Sequence, residues 1–172
     1  SEDFDNSTWV KIHVTVIANA TTAPDGNLSA DKIISTATET NHIAFNDPSS
    51  FVSSQSYTFS YYAKSAEYTK TAIRIGGAGY SIVNRAEINL SNGTIIYQQG
   101  VTSLKVQSFG NGWYRIQGTF ISAPNLVPNI QPLSDSYSVV ADNYTFLGNG
   151  TSGIYVWGAQ LEAGSNATSY IP

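Results

Sequence analysis

The strongest constraint on this chain is a two-residue rhythm of apolar and polar side chains, cut by Gly, Asn and Pro about every 8–15 residues. In Trp9–Ala18, Val10, Ile12, Val14 and Val16 alternate with Lys11, His13 and Thr15. Phe59, Tyr61 and Ala63 alternate with Ser60, Tyr62 and Lys64. Ala86, Ile88 and Leu90 alternate with Arg85, Glu87 and Asn89, and Tyr114, Ile116 and Phe120 with Arg115, Gln117 and Thr119. Side chains on a strand point to opposite faces in turn, so each run offers one face to a core and the other to solvent. Further strands are expected over Thr94–Gln98, Leu104–Phe109, Tyr137–Ala141 and Gly153–Glu162, and Ser29–Thr36 suits a strand better than a helical turn. No segment of ten or more residues has helical periodicity.

The breaks are turn chemistry. Pro24-Asp25-Gly26-Asn27 suits a tight turn, and Ser91-Asn92-Gly93-Thr94 a two-residue hairpin, because Asn-Gly adopts positive φ readily. The Pro-rich stretch Ser122–Ser134 reads as a loop with room for a short edge strand around Ile130. Roughly ten short strands without helices predict an all-β antiparallel sandwich or barrel. The 172 residues fit a single domain, 1–172, with no internal boundary.

Composition narrows the setting. Only 12% of residues are charged, and Ser, Thr and Asn are abundant (22, 16 and 14 residues). A hydroxyl- and amide-rich surface suits an extracellular or virion protein. Net charge is −4, and the eight Lys and Arg are scattered, so a phosphate-tracking stripe is missing and nucleic acid is not an expected partner. No apolar run approaches the roughly 20 residues that cross a bilayer, so no membrane insertion is expected. With no Cys, disulfides and thiolate chemistry are excluded. The chain starts without Met and without a signal-type segment, and reads as a processed product or a piece of a longer protein. Eight Asn-X-Ser/Thr triplets follow from the richness in those residues.

Several pieces occur together and in order: Trp9; Ala23-Pro24-Asp25-Gly26 with Ala30-Asp31-Lys32; Tyr57-Thr58-Phe59-Ser60-Tyr61-Tyr62-Ala63-Lys64; Gly110-Asn111-Gly112-Trp113-Tyr114-Arg115; and Val156-Trp157-Gly158-Ala159-Gln160-Leu161-Glu162 with Thr168-Ser169-Tyr170-Ile171-Pro172. Together they resemble the lectin-like jelly-roll domain of phage tail fibres and other virion proteins, a concanavalin-like or carbohydrate-binding-module-like domain. The resemblance implies a two-sheet jelly roll. It also implies recognition of a cell-surface glycan, polysaccharide or host receptor, at a virion or extracellular surface, in a homo-oligomer or a larger fibre. The alternative is a structural decoration or oligomerisation module that binds no glycan.

Sugar recognition needs aromatic faces for pyranose C–H surfaces, and amides and charged groups for hydroxyls. Tyr62, Lys64, Trp113, Arg115 and Gln117 are the candidate ligand-binding residues, provided that their strands are neighbours. Phe59, Tyr61, Tyr114, Trp157 and Leu161 are assigned to the core. Related jelly rolls hold a structural Ca²⁺, and the resemblance implies a metal set drawn from Glu2, Asp25 and Asp31, with Asp3 and Asp5 as further carboxylates. No cofactor is required. The two histidines, His13 and His42, lack the partners of a catalytic or metal motif, so no enzymatic activity is expected.

Overall fold

The computed structural model describes residues 1–46, 51–76, 84–123, 126–137 and 144–171. Fourteen strands are found among them: β1 (Trp9–Ile12), β2 (Val14–Thr22), β3 (Leu28–Ser35), β4 (Glu39–Thr40), β5 (Ile43–Asn46), β6 (Ser56–Ser65), β7 (Lys70–Gly76), β8 (Asn84–Asn89), β9 (Ile95–Gln99), β10 (Ser103–Ser108), β11 (Trp113–Ile121), β12 (Val127–Leu133), β13 (Phe146–Leu147) and β14 (Gly153–Ala163). Sheet A has the order β1-β5-β12-β7-β8-β9, and sheet B the order β10-β11-β6-β14-β3-β2. Every pairing is antiparallel. Setting aside the edge strands β1, β2, β9 and β10 leaves β5-β12-β7-β8 facing β3-β14-β6-β11. That interleaving is the jelly-roll sandwich expected from the sequence.

The core fills the gap between the sheets with Ile33, Tyr61, Ile73, Ile88, Ile116, Phe120, Ile130 and Val156, all fully buried. Across this gap Tyr61 Oη contacts Thr71 Oγ1 at 3.2 Å, which satisfies a phenol that would otherwise be stranded.

Three expectations change. First, the run from Trp9 to Ala18 is two strands in two sheets. His13 sits between them at φ +53, and this left-handed residue carries the chain from sheet A to sheet B. The alternation therefore does not run through. Val14 is buried, but Val10 and Ile12 are exposed while Trp9 fills the core. His13 lies at this junction, not on a polar strand face.

Second, the Pro-rich loop contains β12, an interior strand between β5 and β7. The β5 ladder spans only Asn129 and Ile130, so Pro128 and Pro132 pair with no residue on that side. The prolines thus cost nothing there, although proline usually marks an edge. Third, β7, between β12 and β8, was not recognised in the sequence at all. The expected strand Tyr137–Ala141 lies outside the described residues beyond Tyr137.

Candidate functional site

Register brings the predicted ligand residues together on the outer face of sheet B. Trp113 pairs with Lys64, Arg115 with Tyr62, and Gln117 with Ser60. The face is not an open platform. Tyr62, Trp113 and Arg115 are all buried, at 4%, 2% and 5% exposure, and only Lys64 and Gln117 remain half-exposed.

The cover is the segment after β14. The Glu162 carboxylate accepts from the Thr168 hydroxyl at 2.6 Å, Gln160 Oε1 accepts from the Ile171 N–H at 2.8 Å, and the Tyr170 ring lies 4.4 Å from Trp157. Arg115 Nη2 donates to the Thr168 carbonyl at 2.6 Å and to Ser60 Oγ at 3.3 Å, with the guanidinium over the Tyr62 ring. Burial raises the pKa of the Tyr62 and Tyr170 phenols.

Trp157 belongs to this outer cluster with Tyr62, Trp113, Ala23 and Ala30, and not to the gap between the sheets. The cause is local. Gly158 has φ +59 and breaks the β14–β6 register between Trp157 and Gln160, so Ile154 and Val156 face the core before the break and Ala159 and Leu161 after it. Phe59 and Tyr61 are in the core as expected, and Tyr114 and Leu161 pack against it half-buried.

The carboxylates gather elsewhere. One oxygen each of Asp3, Asp5 and Asp31 lies within 4.8 Å of the others. Asp31 is buried and accepts from the Phe4 N–H at 2.8 Å and the Asn19 N–H at 2.9 Å, so it pins the first residues of the chain to β2 and β3. The side-chain contact between Asp3 and Asp5 raises the pKa of Asp5 and lowers that of Asp3. Glu2 lines the same hollow, of about 340 Å³. Asp25 does not belong to it. Its carboxylate accepts from Asn27 N and Nδ2 within its own turn. Of the expected set Glu2, Asp25 and Asp31, the structure brings Glu2 and Asp31 to one hollow with Asp3 and Asp5, and leaves Asp25 in its own turn. Three hard oxygen donors fit Ca²⁺ in chemistry.

His42 is buried, its Nδ1 2.6 Å from the His13 carbonyl and its Nε2 3.3 Å from that of Phe146, whose ring packs against it.

A second polar face, not anticipated from the sequence, lies on the outside of sheet A. Register places Gln131, Ala72, Glu87 and Tyr97 in one row across β12-β7-β8-β9, and Asn129, Arg74, Arg85 and Gln99 in the next. Arg85 Nε donates to Gln99 Oε1 at 3.2 Å, and the guanidinium lies between the rings of Tyr97 and Tyr144, 4.8 and 5.4 Å from their centroids. Tyr137 and Tyr144 stand side by side over this face. Lys70 Nζ donates to the Asp135 and Tyr137 carbonyls, and Asp135 accepts from Thr69, so the segment carrying Tyr137 is tied to β7.

Beneath that roof, Glu87 Oε1, Gln131 Oε1 and Tyr144 Oη are buried and make no hydrogen bond with the described residues. Burial raises the Glu87 pKa against the pull of Arg85 and Lys70. The Tyr144 pKa is raised by burial and by the Glu87 charge beside it. Ala72, the small residue between Gln131 and Glu87 in this row, is itself fully buried. The face widens toward β9, where Gln99 is exposed and Tyr97 half-exposed. The signal available in the sequence was the pair Arg85 and Glu87 on the polar face of β8. It could not be completed, because β7, the strand that joins β8 to β12, is not among the strands expected from the sequence.

Compared with known proteins, the chain matches no family model and no curated sequence.

Proposed function

We propose that this protein is a non-enzymatic recognition module of a virion or surface appendage, and that the outer face of sheet A binds a hydroxyl-rich glycan. The observation that carries this reading is the buried trio Glu87 Oε1, Gln131 Oε1 and Tyr144 Oη. A buried polar atom without a partner costs about 1–3 kcal/mol, and more when charged, so a fold keeps three together only where something else needs them. Two are acceptors on either side of Ala72, roughly 10 Å apart across two strand spacings. A saccharide supplies O–H donors over that span, and Tyr97 and Tyr144 supply aromatic faces for its C–H surfaces. The phage-type resemblance supplies the setting.

A glycan array with the intact protein, followed by calorimetry on the best neutral oligosaccharide, tests this. Glu87→Gln and Gln131→Leu are each expected to weaken binding at least tenfold. Unchanged affinity in both would remove the face from the reading.

The structural alternative, an assembly module without glycan binding, draws on a separate feature: Val10 and Ile12 on edge strand β1 and Ile95 and Ile96 on edge strand β9 are exposed. Light scattering that gives a stable oligomer, lost in Ile95→Lys/Ile96→Lys, would favour it.

The Asp3–Asp5–Asp31 group is proposed to hold a structural Ca²⁺. Added Ca²⁺ is expected to raise Tm, and Asp5→Asn to abolish the rise. If Asp5→Asn alone stabilises the protein and Ca²⁺ does nothing, the group is only a set of repelling carboxylates.

A further inference from the structure

The cleft beside the covered face of sheet B has a different character from either site above. It opens between the Ala23–Gly26 turn and the Gly110–Trp113 turn, holds about 340 Å³, and is lined by Thr21, Thr22, Phe109, Asn111, Trp113 and Lys64. The Lys64 stem lies along Gly112, where an added Cβ would meet its methylenes at 3.6–3.9 Å. The stem is thereby packed while the ammonium is carried into the cleft.

That ammonium has no acid partner. Among the described residues the one side-chain ion pair is Lys32 with Glu67. Asp25, on the adjoining turn, keeps its charge, but its carboxylate is held by Asn27 and makes no ion pair with Lys64. Arg115 lies diagonally across the β6–β11 pair from Lys64, a Cβ separation of about 7–8 Å. It too lacks a carboxylate. Its Nη2 meets only neutral oxygens, and its buried Nε meets no acceptor at all. Phe109 joins the two cations, lining the cleft and resting edge-on against Tyr62, 5.0 Å between centroids, with Arg115 over that same ring.

Two uncompensated cations, one of them desolvated, make this a positive pocket on a protein of net charge −4. A buried or half-buried charge favours an opposite charge that is desolvated with it. The Thr hydroxyls, the Asn111 amide and the indole and phenyl edges add the groups that hold a sugar ring. We propose that this cleft binds an acidic saccharide, with the ligand carboxylate on Lys64 and Arg115 supplying the positive field behind it. The site is on the opposite sheet from the face carrying Glu87 and stands or falls separately from it.

Tryptophan fluorescence titration with trigalacturonate at low ionic strength tests this, with the neutral trisaccharide maltotriose and sodium acetate as parallel arms. Trigalacturonate is expected to bind, to weaken as salt is added, and to lose at least tenfold in affinity in Lys64→Gln. Lys64→Arg is expected to restore most of it, and Lys105→Gln, which removes the same charge outside the cleft, to leave it intact. Equal binding of maltotriose would overturn the acidic assignment. Equal binding of acetate would reduce the cleft to a simple anion site, and unchanged affinity in Lys64→Gln would dismiss the cleft altogether.

Discussion

The outer faces of the two sheets are both buried and both rich in polar and aromatic groups, yet they are finished differently. On sheet B the indole N–H groups are satisfied, Trp113 by the Thr22 carbonyl and Trp157 by Ser29 Oγ, and the covering segment is hydrogen-bonded at Glu162, Gln160 and Arg115. On sheet A the roof of Tyr137 and Tyr144 leaves a carboxylate oxygen, an amide oxygen and a phenol unmatched. The first is the economy of a second small core. The second fits the ligand face proposed above, because a binding site gives up stability that a core keeps. Burial alone does not separate the two; the number of unmatched buried atoms does, Arg115 Nε on sheet B against the three on sheet A.

Substitutions on the two faces should therefore move stability in opposite directions. The largest effect is expected for Trp157→Ala, which empties the sheet B cluster and strands Ser29. Urea denaturation should show a loss of about 3–5 kcal/mol. A loss within error would mean that the cluster is decoration. Next is Gly158→Ala, which forces a side chain into the left-handed region and places its Cβ 3.1 Å from the Tyr62 ring. A loss of about 2 kcal/mol is expected, with a red-shifted Trp emission as the Tyr170 segment loosens.

On sheet A, Glu87→Gln is expected to stabilise the protein by about 1–2 kcal/mol at neutral pH, because it removes a buried charge. The pH dependence fixes the sign. The folded state raises the Glu87 pKa, so it binds the proton more tightly than the unfolded chain does. Stability contributed by this group is therefore full below the ordinary glutamate range and falls as pH rises through the folded value. Calorimetric Tm values should show that fall in the wild type and a flatter profile in Glu87→Gln. The smallest expected change is Tyr144→Phe, a gain of up to about 1 kcal/mol by removal of an unmatched hydroxyl. A clear destabilisation in both variants would erase the contrast between the faces.

The architecture was legible because it rests on alternation, a local signal. The strand Trp113–Ile121 follows directly from Tyr114, Ile116 and Phe120 opposite Arg115, Gln117 and Thr119, and the structure gives it the same limits. What failed were positions where the period breaks or is masked. His13 and Gly158 each reverse the phase with one left-handed residue, and this sent Val10 and Ile12 outward and Trp157 to the wrong side. In β12 two prolines disguised an interior strand. The sheet B site residues were recognised as neighbours because their own strands were recognised. Their cover was not foreseen, since Thr168 and Tyr170 fold back through hydrogen bonds that carry no periodicity. The sheet A face stayed hidden because it is assembled from four strands, of which β7 was not expected at all and β12 only as a short edge strand in a loop.

The irregularity at Gly158 also joins the two ends of the chain. The residue after it, Ala159, exchanges backbone hydrogen bonds in both directions with Ser1, while the residue before it, Trp157, seats Tyr170. A pull applied to Ser1 and Tyr170 would thus load this one kink from both sides before any strand of the inner sandwich began to slide. Mechanical extension should begin there, as a small early yield well below the force that ruptures the sheets.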